Sequence, residues 1–148
     1  MRTVEATVLL EVPRTEVERA LSPASIVEYA GTYDVTDVTE SDGTTVVTAT
    51  GENVATTLEF RELKNGYSYT QVEGEGPFEE MHTRITVREN GNTRVSVRSE
   101  FTFGGAFSFL KDWLGKDLRK TELQRLLTNL ALDLENGSER ESPERGEE

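Results

Sequence analysis

The chain has 148 residues, no cysteine, and 28 acidic against 16 basic side chains, which gives a formal net charge of −12. This length fits one domain with a core of its own, and without cysteine there is no disulfide, thiolate metal site or cysteine nucleophile. The charge argues against nucleic acid and anionic membranes as partners, because both are also negative, and no run approaches 18 apolar residues, so no membrane insertion is predicted.

The first predicted element is a half-buried strand. Residues 2–12 alternate between apolar and polar side chains, so that every second side chain points to the same side of a sheet. Pro13 ends this strand and opens a short helix. Ser22 can cap a second short helix, which has Pro23 in its first turn and ends near Tyr29.

The segment 33–103 is predicted to form six successive strands. Its apolar and β-branched residues come in short runs, as strands prefer, and turn sequences rich in glycine, asparagine and aspartate separate the runs. Such short connections imply antiparallel pairing of neighbouring strands. The predicted strands are 33–39, 44–50, 54–63, 67–73, 78–89 and 93–103.

A long amphipathic helix is predicted over 106–135. Extended toward its start, the apolar stripe passes through Trp113 but also through Lys116 and Lys120, so the helix either rotates against its partner near Gly115 or bends there. This helix is the available cover for the apolar face of the sheet, and a curved sheet on one helix leaves a cavity between them. The stripe comprises residues spaced by three and four, namely Leu123, Leu126, Leu127, Leu130, Ala131 and Leu134.

The end of the chain is strongly acidic. Residues 136–148 contain no apolar side chain and are predicted to be a disordered tail after a domain at 1–135. With only 4 lysines among its 16 bases, the chain resembles the proteins of extreme halophiles, in which molar salt screens self-repulsion. The alternative is an ordinary acidic protein with an acidic tail. The N-terminus lacks the features of a signal peptide, so a cytoplasmic location is expected.

Two segments carry a resemblance to a known family. The segment 12–23, VPRTEVERALSP, is similar to the A-P-x-x-V-W-x-x-L-x-D-P opening of the helix-grip superfamily, also called SRPBCC or START-like, and 69–78 resembles its central hairpin. Glu18 stands where an aromatic residue is common, and Ser22 where aspartate is common. The resemblance implies an α+β helix-grip fold, in which a curved antiparallel seven-stranded sheet wraps a long C-terminal helix and two short helices follow the first strand.

Aromatic and hydroxyl side chains are the candidates for lining the cavity, because small-molecule sites combine apolar walls with a few polar groups. Filling of the core is the alternative for each of them. The face of 67–73 that points inward is left open, since Ser68, Thr70 and Val72 alternate with the tyrosines. The candidate ligand-binding residues are Tyr29, Tyr33, Tyr67, Tyr69, Thr83, Ser99, Phe101, Phe109, Trp113 and Asp117.

Catalytic candidates are few. Asp117 lies among apolar residues of the long helix, where burial would suit a carboxyl group to acid–base chemistry, and Tyr69 is the other candidate acid or base. Exposure or pairing with a nearby base is the alternative for Asp117. His82, the single histidine, shares a strand face with Glu80 and Arg84 and is expected to face solvent. No metal or cofactor is predicted.

The leading functional hypothesis is therefore binding or transport of a hydrophobic or aromatic small molecule between sheet and helix, without catalysis. The alternative is an enzyme similar to polyketide cyclases or dehydratases, with Asp117 or Tyr69 as acid or base. A third hypothesis, a module that binds a protein partner, would require an apolar outer sheet face, and the charged side chains of 94–100 argue against it.

Overall fold

A computed structural model describes residues 1–52, 54–104 and 112–146, with the side chains of 115–136 in the last range. The helices and strands follow the predicted order closely. They are β1 (Arg2–Leu10), α1 (Arg14–Ala20), α2 (Pro23–Ala30), β2 (Asp34–Ser41), β3 (Thr44–Gly51), β4 (Val54–Leu63), β5 (Gly66–Gln71), β6 (Phe78–Asn90), β7 (Asn92–Phe103) and α3 (Asp112–Gly146).

The strands of the described ranges form one antiparallel sheet of seven strands, in the order β1-β7-β6-β5-β4-β3-β2. Each strand after β2 pairs with its neighbour in sequence, as the short turns predict, while β1 pairs with the last strand, β7. The two free edges are therefore β1 and β2. The predicted α+β architecture, with two short helices after the first strand and a long helix at the end, is confirmed.

The sheet buries the face that alternation predicts. On β6, Met81, Thr83, Ile85 and Val87 are buried, whereas His82 is exposed on the outer face. The open question on β5 is also answered. Tyr69 is buried and stacks on Phe60 of β4, with ring centroids 4.5 Å apart, so the tyrosine face of β5 points toward the core.

Helix α3 buries four leucines of the predicted stripe, Leu123, Leu126, Leu127 and Leu130, and half-buries Ala131 and Leu134. Lys116 and Lys120 are exposed, and the buried face continues instead through Arg119 and Gly115. Residues 106–111 of the predicted helix lie outside the described residues. Within the described part of the chain, no helix combines the length and the apolar character needed to cross a membrane.

The end of α3 differs from the predicted boundary. The helical backbone runs on to Gly146, whereas the sequence predicts a disordered tail from 136. Residues 147 and 148 lie outside the described residues. The division of the chain into a domain at 1–135 and a separate tail stays a prediction.

Helix α2 is held at both ends. Ser22 and Ser25 form a reciprocal capping box at its start. Gly31 ends the helix in the left-handed conformation, with φ of 77°. Two side chains of α3 then bind the last carbonyl groups of α2, with Asn129 Nδ2 donating to Tyr29 O over 2.7 Å and Arg125 Nη1 donating to Ala30 O over 3.1 Å. These contacts fix the loop that leads into β2.

Candidate functional site

An open cavity of about 510 Å³ lies between α3 and the sheet, where the loop after α2 meets the beginnings of β4 and β6 and the end of β7. Its walls combine apolar and aromatic side chains with a band of charged ones from α3. The lining residues are Thr32, Tyr33, Val54, Pro77, Phe78, Phe103, Asp117, Leu118, Arg119, Thr121, Glu122 and Arg125.

Phe78 and Phe103 line the sheet side of the cavity, and Phe101 packs behind them. Phe78 stacks on Phe103 with ring centroids 5.0 Å apart, and Phe101 meets both rings edge-on at 5.6 Å. Gln71 holds Phe78 in place through its backbone, because Gln71 Nε2 donates to Phe78 O over 2.6 Å and Phe78 N donates to Gln71 Oε1 over 3.0 Å. The wall is thus a packed and anchored aromatic cluster.

Gly115 lets α3 approach this cluster closely. A Cβ atom built at Gly115 would lie 2.6 Å from Phe103 Cε2, which is shorter than any normal carbon–carbon contact. A residue with a side chain at this position would push the helix away from β7 or move the Phe103 ring. The glycine near which the sequence predicts a rotation or a bend therefore has a packing role next to the cavity.

Arg119 connects α3 to the middle of the sheet beneath the cavity. Its Nε atom donates to Ser99 Oγ over 3.1 Å and its Nη2 atom donates to Thr83 Oγ1 over 2.8 Å. Thr83 Oγ1 and Ser99 Oγ also lie 2.8 Å apart. The guanidinium carbon lies 5.3 Å from the centre of the Phe78 ring, within the range of a cation–π contact.

The positive charge of Arg119 is balanced locally. Its Nη1 atom bonds Glu122 one helical turn later, and the two side chains are only 6% and 14% exposed. Burial alone would lower the pKa of Arg119, but the Glu122 carboxylate, with a smaller contribution from Tyr69, raises that pKa overall. The cavity therefore has a buried, neutral ion pair at its base.

Tyr33 brings a hydroxyl group to the wall of the cavity. Burial, and next the negative charge of Glu122, raise the pKa of Tyr33 to about 12. The phenol is therefore protonated at neutral pH and can donate or accept a hydrogen bond. Burial likewise raises the pKa of Tyr69, which lies deeper in the core.

The structure brings some of the predicted site residues together and separates others. Tyr33 and Asp117 line the cavity, and Thr83, Ser99 and Phe101 lie directly behind its wall, bonded to Arg119 or packed on Phe78. Tyr69 is buried without lining the cavity, although its charge interaction with Arg119 places it near the base.

Two of the predicted tyrosines serve other contacts. Tyr29 donates to Asp133 Oδ2 of α3 over 2.6 Å, and Tyr67 donates to the backbone oxygen of Leu21 over 3.4 Å. Neither lines the cavity. Phe109 lies outside the described residues, and Trp113 is described only by its backbone in α3.

Of the two catalytic candidates, Asp117 is exposed and Tyr69 is buried. Asp117 is on the lining, but it faces solvent beside Leu118, which is itself 53% exposed. Exposure, the alternative given for Asp117, is what the structure shows, because the buried face of α3 runs through Arg119. His82 faces solvent opposite Glu100. Among the described residues, no group of three or more histidine or acidic side chains is placed to hold a metal ion.

Sequence reasoning missed the charged pair and two of the phenylalanines. Arg119 lies four residues before Leu123, on the same helical face as the leucine stripe, and Glu122 follows it by three. That spacing is the signal that could have placed Arg119 in the interior. Phe78 and Phe103 lie directly opposite each other in the pairing of β6 and β7, a register that depends on the bulge after Phe78.

No family model and no curated protein matches the sequence, but many solved structures match the fold. TTHA0849 from Thermus thermophilus has a TM-score of 0.73 at 18% identity, over 93% of this chain and 99% of that one. The Zhui aromatase/cyclase from a Streptomyces species has 0.68 at 17%, over 94% of each chain. Ara h 8.0201 has 0.59 at 14%, over 91% and 98%. The chain thus has the helix-grip fold that the resemblance implies.

Proposed function

We propose that this protein binds a hydrophobic or aromatic small molecule in the cavity between the sheet and α3. The observation that carries the proposal is the open, aromatic-walled space of about 510 Å³ above a neutral ion pair. Sites for small molecules range from about 300 to 1,000 Å³ and are mostly apolar with a few polar groups. The likeness in fold to an aromatase/cyclase supports an aromatic ligand.

The walls favour a ligand with one polar end. Phe78 and Phe103 offer flat apolar surface, and Leu118 extends it toward solvent. Tyr33 can bind a hydroxyl or carbonyl group of the ligand. Because Arg119 and Glu122 neutralise each other, the base of the cavity does not select strongly for a charged ligand. A neutral aromatic molecule with a hydroxyl or carbonyl group fits these surroundings.

The test uses N-phenyl-1-naphthylamine, a neutral aromatic probe whose fluorescence rises in apolar surroundings. We expect saturable binding by the full chain. Leu118→Glu places a charge on the apolar wall and should weaken probe binding about tenfold, which corresponds to about 1.4 kcal/mol. Since Leu118 is already 53% exposed, the substitution should leave the fold intact.

Leu132→Glu is the matched control. Leu132 lies on the same helix and is 49% exposed, but it does not line the cavity. This variant should bind the probe as the unchanged protein does. Probe binding that both glutamates reduce equally, or that neither changes, would show that the probe binds elsewhere and would overturn the proposal.

The enzyme hypothesis is the second candidate, and the fold of an aromatase/cyclase keeps it open. Asp117 would have to be the acid or base, because Tyr69 does not line the cavity. Asp117 is exposed, so it lacks the dry surroundings that general acid–base catalysis at neutral pH commonly uses. Ligand binding without catalysis is therefore the proposal that the geometry supports better.

We also propose that the protein works in concentrated salt. The charge of −12 and the scarcity of lysine support this, because repulsion among surface acids weakens as the Debye length falls from about 10 Å at 0.1 M to about 3 Å at 1 M. The melting temperature should rise by several degrees when potassium chloride is increased over this range. A melting temperature that stays constant or falls would contradict the proposal.

A further inference from the structure

The outer face of the sheet, on the side away from α3, carries four arginines that we call the basic strip: Arg84 and Arg88 on β6, and Arg94 and Arg98 on β7. The strand register places Arg84 directly opposite Arg98 and Arg88 directly opposite Arg94. Opposed residues in an antiparallel pair have Cβ atoms only about 4.5–5.5 Å apart, and like charges there destabilise the sheet. Because these opposed arginines destabilise the folded sheet, a role in binding would explain their presence.

Three of the four arginines in the basic strip have no carboxylate partner among the described residues. Arg98 forms an ion pair with Glu5. By contrast, Arg84, Arg88 and Arg94 have no ion pair or hydrogen bond within the described residues. Acidic side chains outnumber basic ones by 28 to 16 in this protein, so unpaired arginines gathered on two neighbouring strands leave strong donors free.

The hairpin end of the basic strip forms a cavity of about 410 Å³. The described residues that line it are Leu9, Arg88, Asn90, Asn92 and Arg94, and none of these is a carboxylate. Both guanidinium groups and both side-chain amides can donate hydrogen bonds into it. Leu9 of β1 stands directly opposite Arg94 and is 57% exposed, so it supplies an apolar patch beside the donors.

We propose that this cavity binds the phosphate group of a small, soluble molecule that also has an apolar part. Guanidinium groups bind phosphate oxygens in pairs, with charge-assisted hydrogen bonds. Arg88 and Arg94 would hold the phosphate from the two strands, and Leu9 would contact the apolar part. The bound phosphate would also remove the repulsion between the two arginines, which explains why they face each other.

A small anion fits the charge of the protein better than an anionic membrane does. An extended anionic membrane surface would be repelled by the whole chain, whose net charge is −12. A single phosphate group in the cavity interacts mainly with charges inside one Debye length, which is about 8 Å at physiological ionic strength and about 3 Å at 1 M salt. Arg88 and Arg94 are the charged residues that line the cavity. The site lies on the opposite face of the sheet from the α3 cavity and does not depend on the function proposed for it.

The test is a titration of the full chain with phenyl phosphate at constant ionic strength, followed by amide NMR spectra. We expect saturable shifts at Arg88, Asn90, Asn92 and Arg94. Arg88→Gln and Arg94→Gln should each weaken binding about tenfold, as loss of one charge-assisted contact of about 1.4 kcal/mol implies. Phenol, which has the same ring without the phosphate, should produce no shifts at these amides.

Arg61→Gln is the matched control, because Arg61 is an exposed arginine of the same sheet and lies near a carboxylate of Glu59. It should bind phenyl phosphate as the unchanged protein does. A second readout is thermal: Arg88→Gln should keep or raise the melting temperature, since it removes a like-charge pair. Absence of saturable shifts, equal losses in all three variants, or binding only to phosphatidate vesicles would overturn the proposal.

Discussion

Arg119 Nη2 donates a hydrogen bond to Thr83 Oγ1 over 2.8 Å, and this contact joins the second turn of α3 to the middle of β6. A buried guanidinium in this position replaces apolar packing with directed bonds. The Arg119 side chain also determines which groups the cavity above it presents, because its guanidinium lies over the Phe78 ring and forms an ion pair with Glu122. The Arg119–Glu122 pair therefore both connects α3 to the sheet and forms the base of the proposed ligand cavity.

Arg119→Met should destabilise the protein by about 3 kcal/mol, because the Glu122 side chain, which is only 14% exposed, would lose the partner that balances its charge. The methionine keeps much of the side-chain volume, so loss of the charge pair is the main change. The measurement is the free energy of unfolding from urea titration. The double variant Arg119→Met with Glu122→Leu should lose less than the sum of the two single variants, since neither charge is then left alone.

The exposed pair of Arg14 and Glu18 is the comparison for that experiment. Its side chains are 32% and 45% exposed, with Arg14 Nε 2.9 Å from Glu18 Oε2. Glu18→Gln should cost less than about 1 kcal/mol, as solvent-exposed ion pairs do. Equal effects of Glu18→Gln and Arg119→Met would show that burial does not make the Arg119–Glu122 pair more important for stability than a surface pair.

Gly115→Ala should destabilise the protein although alanine is the better helix former. Alanine gains about 1 kcal/mol over glycine in a helix interior, but its Cβ would lie 2.6 Å from Phe103 Cε2, and such overpacking costs about 1–3 kcal/mol. In a Phe103→Leu background the clash is relieved, so the same substitution should become stabilising. A urea-unfolding cycle over the four variants measures this change of sign. If Gly115→Ala stabilises both backgrounds equally, the close approach is unimportant.

Much of the fold could be predicted because its signals are local. The alternation in β1, β6 and β7 has a period of two, and the leucines of α3 repeat every three or four residues, so the buried faces follow directly from the sequence. Ser22 as a helix cap is equally local. Such patterns depend on neighbouring residues alone, which is why the order of the elements along the chain and the helix cover were predicted correctly.

The candidate site was harder to predict because it depends on contacts between distant segments. Thr83, Ser99 and Arg119 meet only after β6, β7 and α3 have packed together. Charged residues are seldom buried unless paired, so Asp117, which has apolar neighbours in sequence, looked more promising than Arg119. The pairing of Arg119 with Glu122 makes Arg119 the better candidate for burial, and this pairing is evident only from the three-dimensional structure.

The pH dependence of stability should report on Tyr33. Its pKa is raised to about 12 from 10.0, through burial first and Glu122 second. Above pH 10 the unfolded chain loses the Tyr33 proton while the folded chain still keeps it. Because the folded state then binds more protons, the stability that this tyrosine contributes is complete below pH 10 and is lost as pH rises through about 12.

Tyr33→Phe should therefore flatten the decline of the melting temperature between pH 10 and pH 12, because phenylalanine has no proton to lose. The measurement is thermal unfolding followed by circular dichroism, at constant salt. Tyrosinate absorbance of the folded protein gives an independent check, since the variant should lack one late-titrating tyrosine. Parallel pH profiles for the two proteins would mean that Tyr33 ionises equally easily in both states, and that the cavity wall does not exclude water from its hydroxyl group.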